Sequence, residues 1–180
     1  MGEKSALDNL TFISGGQTGV DRAVLDFCLS KRLPCGGWCP KGRMAEDGTI
    51  DPAYPVRELP GASYEERTFA NVADSDATVI LYQGKLTGGT LKSHQYASRL
   101  NKPILLINLK EVTPGKAITL FLEFIKQAGA SRVNFSGPRQ SEWDQAYDLC
   151  TTFLTGIYHH QKTPSGKPNG AGSPEPDDHI

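Results

Sequence analysis

The chain has 180 residues, of which 38% are hydrophobic and 22% are charged, and its formal net charge is −1. This length suits one domain with a sizeable core, and the near-zero charge argues against a general binder of nucleic acids or membrane surfaces. The sequence has no run of roughly eighteen apolar residues, which a membrane-spanning helix requires. Its first ten residues lack the basic and then apolar order of a signal peptide, so we expect a cytoplasmic protein.

The first half of the chain predicts alternating strands and helices. In chain order these are a short buried strand beginning at Thr11, a helix over 20–31, strands at 33–38 and 56–59 separated by a polar loop at 39–48, and a helix over 64–73. The first strand reaches its helix through a glycine-rich turn. Ser63 and Glu66 have the spacing of a capping box, which fixes the start of the second helix.

The second half continues the alternation. The predictions are a strand at 77–82, a glycine loop at 84–90, a helix ending near Leu100, a strand at 103–108, a helix over 114–128, a strand at 131–135, a loop at 136–141 and a final helix. The strand at 77–82 is β-branched and almost continuously apolar, as strands buried on both faces are. The final helix is predicted from apolar residues in helical register from Trp143 to Ile157.

Strands that alternate with helices favour right-handed crossovers and a parallel sheet covered on both faces. The predicted fold is therefore α/β, a Rossmann-like three-layer sandwich with a mainly parallel sheet. We expect one ligand-binding domain over residues 1–160. Residues 161–180 are rich in glycine, proline and polar residues with little to bury, and they predict a disordered tail.

The four cysteines predict reduced thiols rather than a metal centre. Cys28 and Cys150 fall on apolar helix faces and are expected in the core. Cys35 and Cys39 flank Trp38, and their spacing is neither that of a zinc ribbon nor that of a Cys-x-x-Cys redox pair. A soft-metal role for these two stays open as the alternative.

Three glycine-bearing loops, at 15–19, 87–90 and 136–139, each follow a strand and precede a helix. In parallel sheets such loops meet at the carboxyl edge, where free backbone N–H groups and helix N-termini bind anions. Basic residues near the loops favour an anionic small molecule, with no nucleic-acid or membrane partner. The predicted binding residues are Gly15, Gly16, Gln17, Thr18, Gly19, Asp21, Arg22, Trp38, Lys41, Arg43, Arg67, Gly88, Gly89, Thr90, Gly137 and Arg139. No catalytic residue and no metal ligand is assigned.

Several of these residues have a second interpretation. Asp21 is either a helix cap or a partner of Arg22, or it contacts the ligand. Trp38 either stacks on a flat heterocycle or covers the sheet edge in the core. An ion pair of Glu66 with Arg67 would be a modest structural role for that arginine.

The chain resembles the molybdenum carrier family, the circularly permuted YpsA-type branch of the SLOG superfamily. The resemblance rests on the stretches 14–23 and 37–43 and on Asn134 together with 137–139, and it covers about residues 10–158. It implies a Rossmann-like nucleotide-binding fold. It also implies binding of molybdenum cofactor (molybdopterin), or of a related pterin or nucleotide, by a carrier protein. A homo-oligomer formed through the final helix stays open.

A second, more distant resemblance is to the "lonely guy" phosphoribohydrolases. It rests on the stretches 66–68 and 73–77 and on the loop 88–90. Those enzymes pair an arginine with a glutamate after the glycine loop, whereas Lys92 and Ser93 stand here in its place. Cleavage of an N-glycosidic bond needs a carboxylate beside the developing positive charge, so that activity is expected to be lost. The alternative is a SLOG-type enzyme acting on a nucleotide or nucleotide sugar through Asp21 or Glu46.

Overall fold

The computed structural model describes residues 6–61 and 63–162. Its α-helices are α1 (Val20–Lys31), α2 (Tyr64–Ala73), α3 (Gly88–Arg99), α4 (Pro114–Ala128) and α5 (Ala146–Lys162). Its strands are β1 (Thr11–Ile13), β2 (Cys35–Cys39), β3 (Met44–Ala45), β4 (Gly48–Thr49), β5 (Val56–Glu58), β6 (Ala77–Tyr82), β7 (Ile104–Asn108) and β8 (Arg132–Ser136). Single 3₁₀ turns lie at Ala6–Asn9 and Lys41–Arg43.

Six of these strands form one parallel sheet in the order β5-β2-β1-β8-β6-β7. Helices α1, α4 and α5 pack together on one side of the sheet, and α2 packs against α3 on the other. The predicted Rossmann-like three-layer fold is confirmed. The capping box that begins α2 is confirmed as well, since Ser63 accepts from the Glu66 N–H and Glu66 accepts from the Ser63 N–H.

The order of the strands decides where a ligand can bind. The chain runs outward through β1, β2 and β5, crosses to β6 and β7, and returns to place β8 between β1 and β6. The direction of winding therefore reverses at the centre of the sheet. At such a switch point the loops that leave neighbouring strands diverge and leave a crevice at the carboxyl edge.

Aromatic side chains fill the core below this crevice. The rings of Phe12 and Phe135 stack with their centroids 5.3 Å apart, which joins β1 to β8. Phe121 of α4 lies 5.9 Å from Phe135 and 5.9 Å from Phe153 of α5. These ring contacts therefore join β1 and β8 to α4 and α5.

The structure corrects the predicted bounds at three places. The polar loop at 39–48 contains the short antiparallel hairpin β3–β4. Helix α3 begins at Gly88, so that the last three residues of the predicted glycine loop form its first turn. Helix α5 begins at Ala146, and Trp143 lies in the preceding turn, where its N–H donates to the Arg139 carbonyl. Trp143 is nevertheless buried, which is why it fits the helical register of apolar residues.

At the C-terminal end, α5 continues to Lys162, two residues past the predicted end of the domain. The rest of the predicted tail, residues 163–180, lies outside the described residues. Among residues 6–61 and 63–162, no helix has the length and apolarity needed to cross a membrane. Cys28 and Cys150 are buried in the core as predicted, and all four cysteines are free thiols.

Candidate functional site: a polar cavity at the carboxyl edge of the sheet

An open cavity lies where β1, β6 and β8 end. The β1–α1 loop, the first turn of α3 and the β8–α5 loop form three of its walls, and α2 forms the fourth. Half of the residues predicted from the sequence line it: Gly15, Gln17, Asp21, Arg67, Gly89, Thr90, Gly137 and Arg139. The structure thus brings together residues from all three glycine-bearing loops.

The other predicted residues do not line this cavity. They are Gly16, Thr18, Gly19, Arg22, Trp38, Lys41, Arg43 and Gly88. Thr18, Gly19 and Arg22 face a shallower neighbouring depression beside the β3–β4 hairpin. Trp38 is half-buried beneath the guanidinium of Arg57, whose Cζ lies 4.3 Å from the indole centroid. Lys41 is exposed in its 3₁₀ turn.

An ion pair between Asp21 and Arg67 is the main charged feature of the cavity wall. Arg67 Nη1 donates to Asp21 Oδ2 over 3.0 Å, and the two side chains are only 12% and 9% exposed. Burial raises the pKa of the Asp21 carboxyl above its ordinary value, although the charge and hydrogen bond of Arg67 oppose the shift. The partner of Asp21 is therefore Arg67 of α2, whereas Arg22 pairs with Asp47 at 3.1 Å and Glu66 caps its own helix.

Two buried donors beside this pair have no acceptor within the described residues. They are Arg67 Nε and Gln17 Nε2. The carbonyl end of the Gln17 amide already accepts from the N–H groups of Thr18 and Glu46, over 3.0 and 2.8 Å, which fixes the orientation of the amide. A buried donor without an acceptor costs about 1–3 kcal/mol, so both groups favour a ligand that supplies acceptors here.

Gly15, which lines the cavity, leaves the space that this arginine occupies. A Cβ on Gly15 would lie 1.6 Å from Arg67 Nη1 and 2.6 Å from Arg67 Cζ. The guanidinium therefore rests against the bare backbone of the β1–α1 loop. Gly89 is different, because a Cβ there would meet no atom within 4 Å and its position faces open space.

The floor of the cavity is polar but uncharged. Ser93 of α3 and Ser136 of β8 share a hydrogen bond of 2.7 Å between their hydroxyls, and both are buried. Asn134 and Asn71 line the same floor, and Asn71 also joins α2 to β2 through paired hydrogen bonds with the backbone of Trp38. Such groups can donate to and accept from a sugar or a heterocycle without adding charge.

The first turn of α3 supplies free backbone donors at the mouth. The first hydrogen bond of this helix runs from the Leu91 N–H to the Thr87 carbonyl, and the Thr87 side chain makes no capping bond. The N–H groups of the preceding residues therefore have no intrahelical acceptor, and no acidic residue lies in this turn. Together with the positive end of the helix dipole they suit an anion.

Glu46 of the β3–β4 hairpin joins the β1–α1 loop to the β8–α5 loop beside the cavity. Its carboxylate accepts from the hydroxyl of Thr18 and from the N–H of Ser141 at 3.1 Å, and Arg139 Nε lies 4.0 Å away. Desolvation would raise the pKa of Glu46, but the hydrogen bonds from Ser141 and Thr18 outweigh it and lower that pKa. Arg139 also lies 3.4 Å from Glu142, so that its charge is shared between two carboxylates.

The two residues at the position of the missing glutamate point in different directions. Ser93 lines the cavity, whereas Lys92 is half-exposed and donates to Glu65 of α2 over 3.0 Å. Lys92 is therefore not part of the cavity wall. On α3, the hydroxyl of Ser93 therefore takes the position at which an N-glycosidase would need a negatively charged carboxylate.

Sequence reasoning missed seven residues of the wall. They are Thr68, Asn71, Ser93, Asn134, Phe135, Ser136 and Glu142. Most are small or amide residues inside helices and strands, where local patterns predict only packing. One signal was available for Asn134, a polar residue within the strand predicted at 131–135, because the strands of a sheet covered on both faces are buried.

Arg43 is bound to the backbone of its own loop. Its guanidinium donates to four carbonyls, those of Ile50, Asp51, Tyr54 and Val56, over 2.9, 2.8, 3.1 and 2.6 Å. These bonds tie the segment after β4 to the 3₁₀ turn before β3. Because the side chain is consumed by carbonyl acceptors, the geometry gives it a structural role.

Replacement of Arg43 by alanine is expected to lower the free energy of unfolding by about 2 kcal/mol, because hydrogen bonds from a charged donor to carbonyls are lost. Urea denaturation followed by tryptophan fluorescence measures the change. Lys41→Ala is the matched control, since Lys41 is exposed in the same turn. Equal midpoints for the two variants would contradict the structural role of Arg43.

Comparisons with known proteins agree with this fold. A family model described as "Circularly permutated YpsA SLOG family" matches residues 12–158. The crystal structure of a "putative molybdenum carrier protein" from Syntrophus aciditrophicus SB is similar to this chain, with a TM-score of 0.82 and 38% sequence identity. The match covers 86% of this chain and 97% of that chain. No curated protein matches the sequence.

Proposed function

Since this chain belongs to the circularly permuted YpsA SLOG family, we propose that its cavity binds a phosphorylated heterocyclic ligand and that the protein is a carrier of molybdenum cofactor. The carrier role comes from the name of the related protein from Syntrophus. The ligand class comes from the chemistry of the cavity wall. The two parts of the proposal can therefore be tested separately.

The first turn of α3 is the observation that carries the proposal. Its first N–H groups have no intrahelical acceptor, a Cβ on Gly89 would meet no atom within 4 Å, and Thr90 adds a buried residue with a hydroxyl to the wall. Arg67 lines the wall formed by α2, and its buried Nε has no acceptor among the described residues. A phosphate group would satisfy both sides, because it carries negative charge and several strong acceptors.

The uncharged floor supports the heterocyclic part of the ligand. A pterin or a purine presents ring nitrogens, amino groups and carbonyls that need donors and acceptors of matching position. Asn134 and the linked hydroxyls of Ser93 and Ser136 offer both kinds of group, whereas the Asn71 amide is already paired with the backbone of Trp38. A floor of this kind orients a neutral ring while the phosphate remains at α3.

Native mass spectrometry tests the proposal on protein purified without oxygen from molybdate-fed cells. We expect a mass increment that matches a pterin–molybdenum species. Gly89→Asp should abolish it, because the new carboxylate would occupy the open space at the N-terminus of α3 and repel a phosphate. An acidic residue at that end also stabilises a helix, so the variant should fold.

Gly115→Asp is the matched control. Gly115 is exposed in the first turn of α4, and a Cβ added there would meet no atom within 4 Å, just as at Gly89. It lies away from the cavity, so this variant should keep the increment. A nucleotide increment instead would keep the ligand class but contradict the molybdenum cargo, and equal loss in both variants would contradict the α3 site.

A second function is supported by Asp21. A buried carboxyl with a raised pKa that lines a cavity is typical of a general acid or base, and this would suit an enzyme acting on a nucleotide or nucleotide sugar. Incubation with AMP and chromatography of the products tests it. Turnover that is lost in Asp21→Asn, while AMP still binds, would favour the enzyme over the carrier.

A further inference from the structure

We propose that Asp21 takes up a proton when an oxyanion enters the cavity, and that the resulting carboxylic acid donates a hydrogen bond to that oxyanion. The inference rests on the proposed function, because it concerns the same cavity. It needs only the oxyanion group of the ligand. It therefore holds for a pterin phosphate and for a nucleotide alike.

The first step is that an oxyanion must share Arg67 with Asp21. Arg67 uses Nη1 for Asp21, while its buried Nε has no acceptor among the described residues. The guanidinium cannot move back, because it already lies against the backbone of Gly15. Gln17 Nε2, the second donor without an acceptor, belongs to the residue whose own N–H donates to Asp21 over 3.3 Å. Both unused donors therefore belong to residues that already donate a hydrogen bond to Asp21.

The second step is that no other cation can compensate Asp21 when Arg67 is shared. Arg22, its neighbour in sequence, reaches away to Asp47 and the Gly16 carbonyl. From the β8–α5 loop, Arg139 lines the same cavity but lies 3.4 Å from Glu142, which lines it too, and 4.0 Å from Glu46.

The side of Asp21 toward α5 offers no charge either. Cys150 is the titratable group there, and burial raises the pKa of its thiol, which keeps it neutral. Among the described residues, Arg67 is therefore the cation bonded to this carboxylate.

The third step follows from electrostatics. An oxyanion beside a buried carboxylate places two like charges in a medium that screens them poorly, and such pairs hold a proton between them. Burial already favours the protonated form of Asp21. The proton comes from solvent on binding and returns to it on release. Once protonated, the carboxyl gains an O–H donor in place of the repulsion.

The coupling has a defined sign. If Asp21 binds a proton more tightly in the complex, the oxyanion must bind more tightly when Asp21 is protonated. Oxyanion affinity should therefore rise as the pH falls through the interval between the two pKa values of Asp21, by up to about tenfold for each pH unit. Outside that interval Asp21 should contribute no pH dependence.

Carbon-13 NMR of the side-chain carboxyls tests the inference on the full chain. The probe is sulfate, which carries no titrating proton near neutral pH, compared with chloride at equal ionic strength. We expect sulfate to raise the pKa of Asp21, identified by loss of its signal in Asp21→Asn. Sulfate should bind Asp21→Asn without the pH dependence. Asp47→Asn, which removes a carboxylate from the neighbouring depression, should keep the pH dependence of the wild type.

Two results would overturn the inference. If the amide signals of Gly89 and Thr90 report saturable sulfate binding while the pKa of Asp21 stays constant or falls, the proton coupling is wrong and the proposed function stands. If sulfate does not bind at all, the inference fails as well. The mass-spectrometric experiment, which uses the bound cargo, then decides the proposed function independently.

Discussion

Replacement of Arg67 by methionine is expected to lower the free energy of unfolding at neutral pH by about 3–5 kcal/mol. Methionine keeps much of the length of the side chain but removes the charge that compensates Asp21. The carboxylate, 9% exposed in the wild type, would remain buried without a cation. Urea denaturation followed by tryptophan fluorescence measures the loss. The difference in free energy of unfolding between wild type and variant should also become smaller toward acid pH. Burial raises the pKa of Asp21 in the folded state above its unfolded value, and protonation removes the charge that Arg67 no longer compensates in the variant.

Two further variants separate a lost charge pair from lost packing. In Asp21→Asn/Arg67→Met no buried charge remains, so most of the stability should return. Arg132→Met removes an ion pair of similar length to Asp74, but both partners are about 40% exposed, so it should cost no more than about 1 kcal/mol. If Arg67→Met lowers the free energy of unfolding as little as Arg132→Met does, the buried ion pair between Asp21 and Arg67 is not a strong interaction.

Much of the fold could be predicted because it depends on local patterns. Helices α1 and α2 and strand β6 have the predicted bounds, since apolar periodicity and a capping box are properties of neighbouring residues. The start of α5 was less accurate. Trp143 continues the apolar period into a turn, and periodicity alone does not distinguish a helical residue from a buried one before the helix.

The location of the site could be predicted, but its internal pairing could not. Loops that follow parallel strands must meet at one edge, so the glycine-bearing loops were sufficient to place the cavity. Asp21 and Arg67, however, are 46 positions apart, and Ser93 and Ser136 are 43 apart. Sequence neighbours such as Arg22 were the natural candidates for Asp21. Which distant residue becomes the partner depends on how α2 and β8 lie across the sheet.

Charge near a loop proved a poor guide to what each arginine does. Arg43 binds backbone carbonyls, Arg22 pairs with Asp47, and Arg139 lies between two carboxylates. A positive residue close to a predicted phosphate site therefore has several acceptors available within the protein itself. Arg67 differs because one of its buried donors has no acceptor in the part of the chain that the structure describes. An unused donor, rather than charge, therefore distinguishes the arginine at the candidate site from the others.

Replacement of Gly15 by alanine is expected to destabilise the protein by about 3 kcal/mol and to abolish oxyanion binding, although it adds only a methyl group. The new Cβ would lie 1.6 Å from Arg67 Nη1, so the guanidinium must leave its position and the bond to Asp21 must break. Denaturation and sulfate titration measure the two effects. Gly89→Ala is the control for stability, since its added Cβ meets no atom within 4 Å.

A double-mutant cycle tests this cause directly. Because Arg67 is the obstacle that the new methyl group meets, Gly15→Ala should cost little once Arg67 has been replaced by methionine. The interaction energy between the two sites should then approach the whole effect of Gly15→Ala in the wild type. If the glycine instead served the backbone conformation, its replacement would cost the same in both backgrounds. In that case the space that Gly15 leaves for the Arg67 guanidinium would not be the reason that the protein needs a glycine at this position.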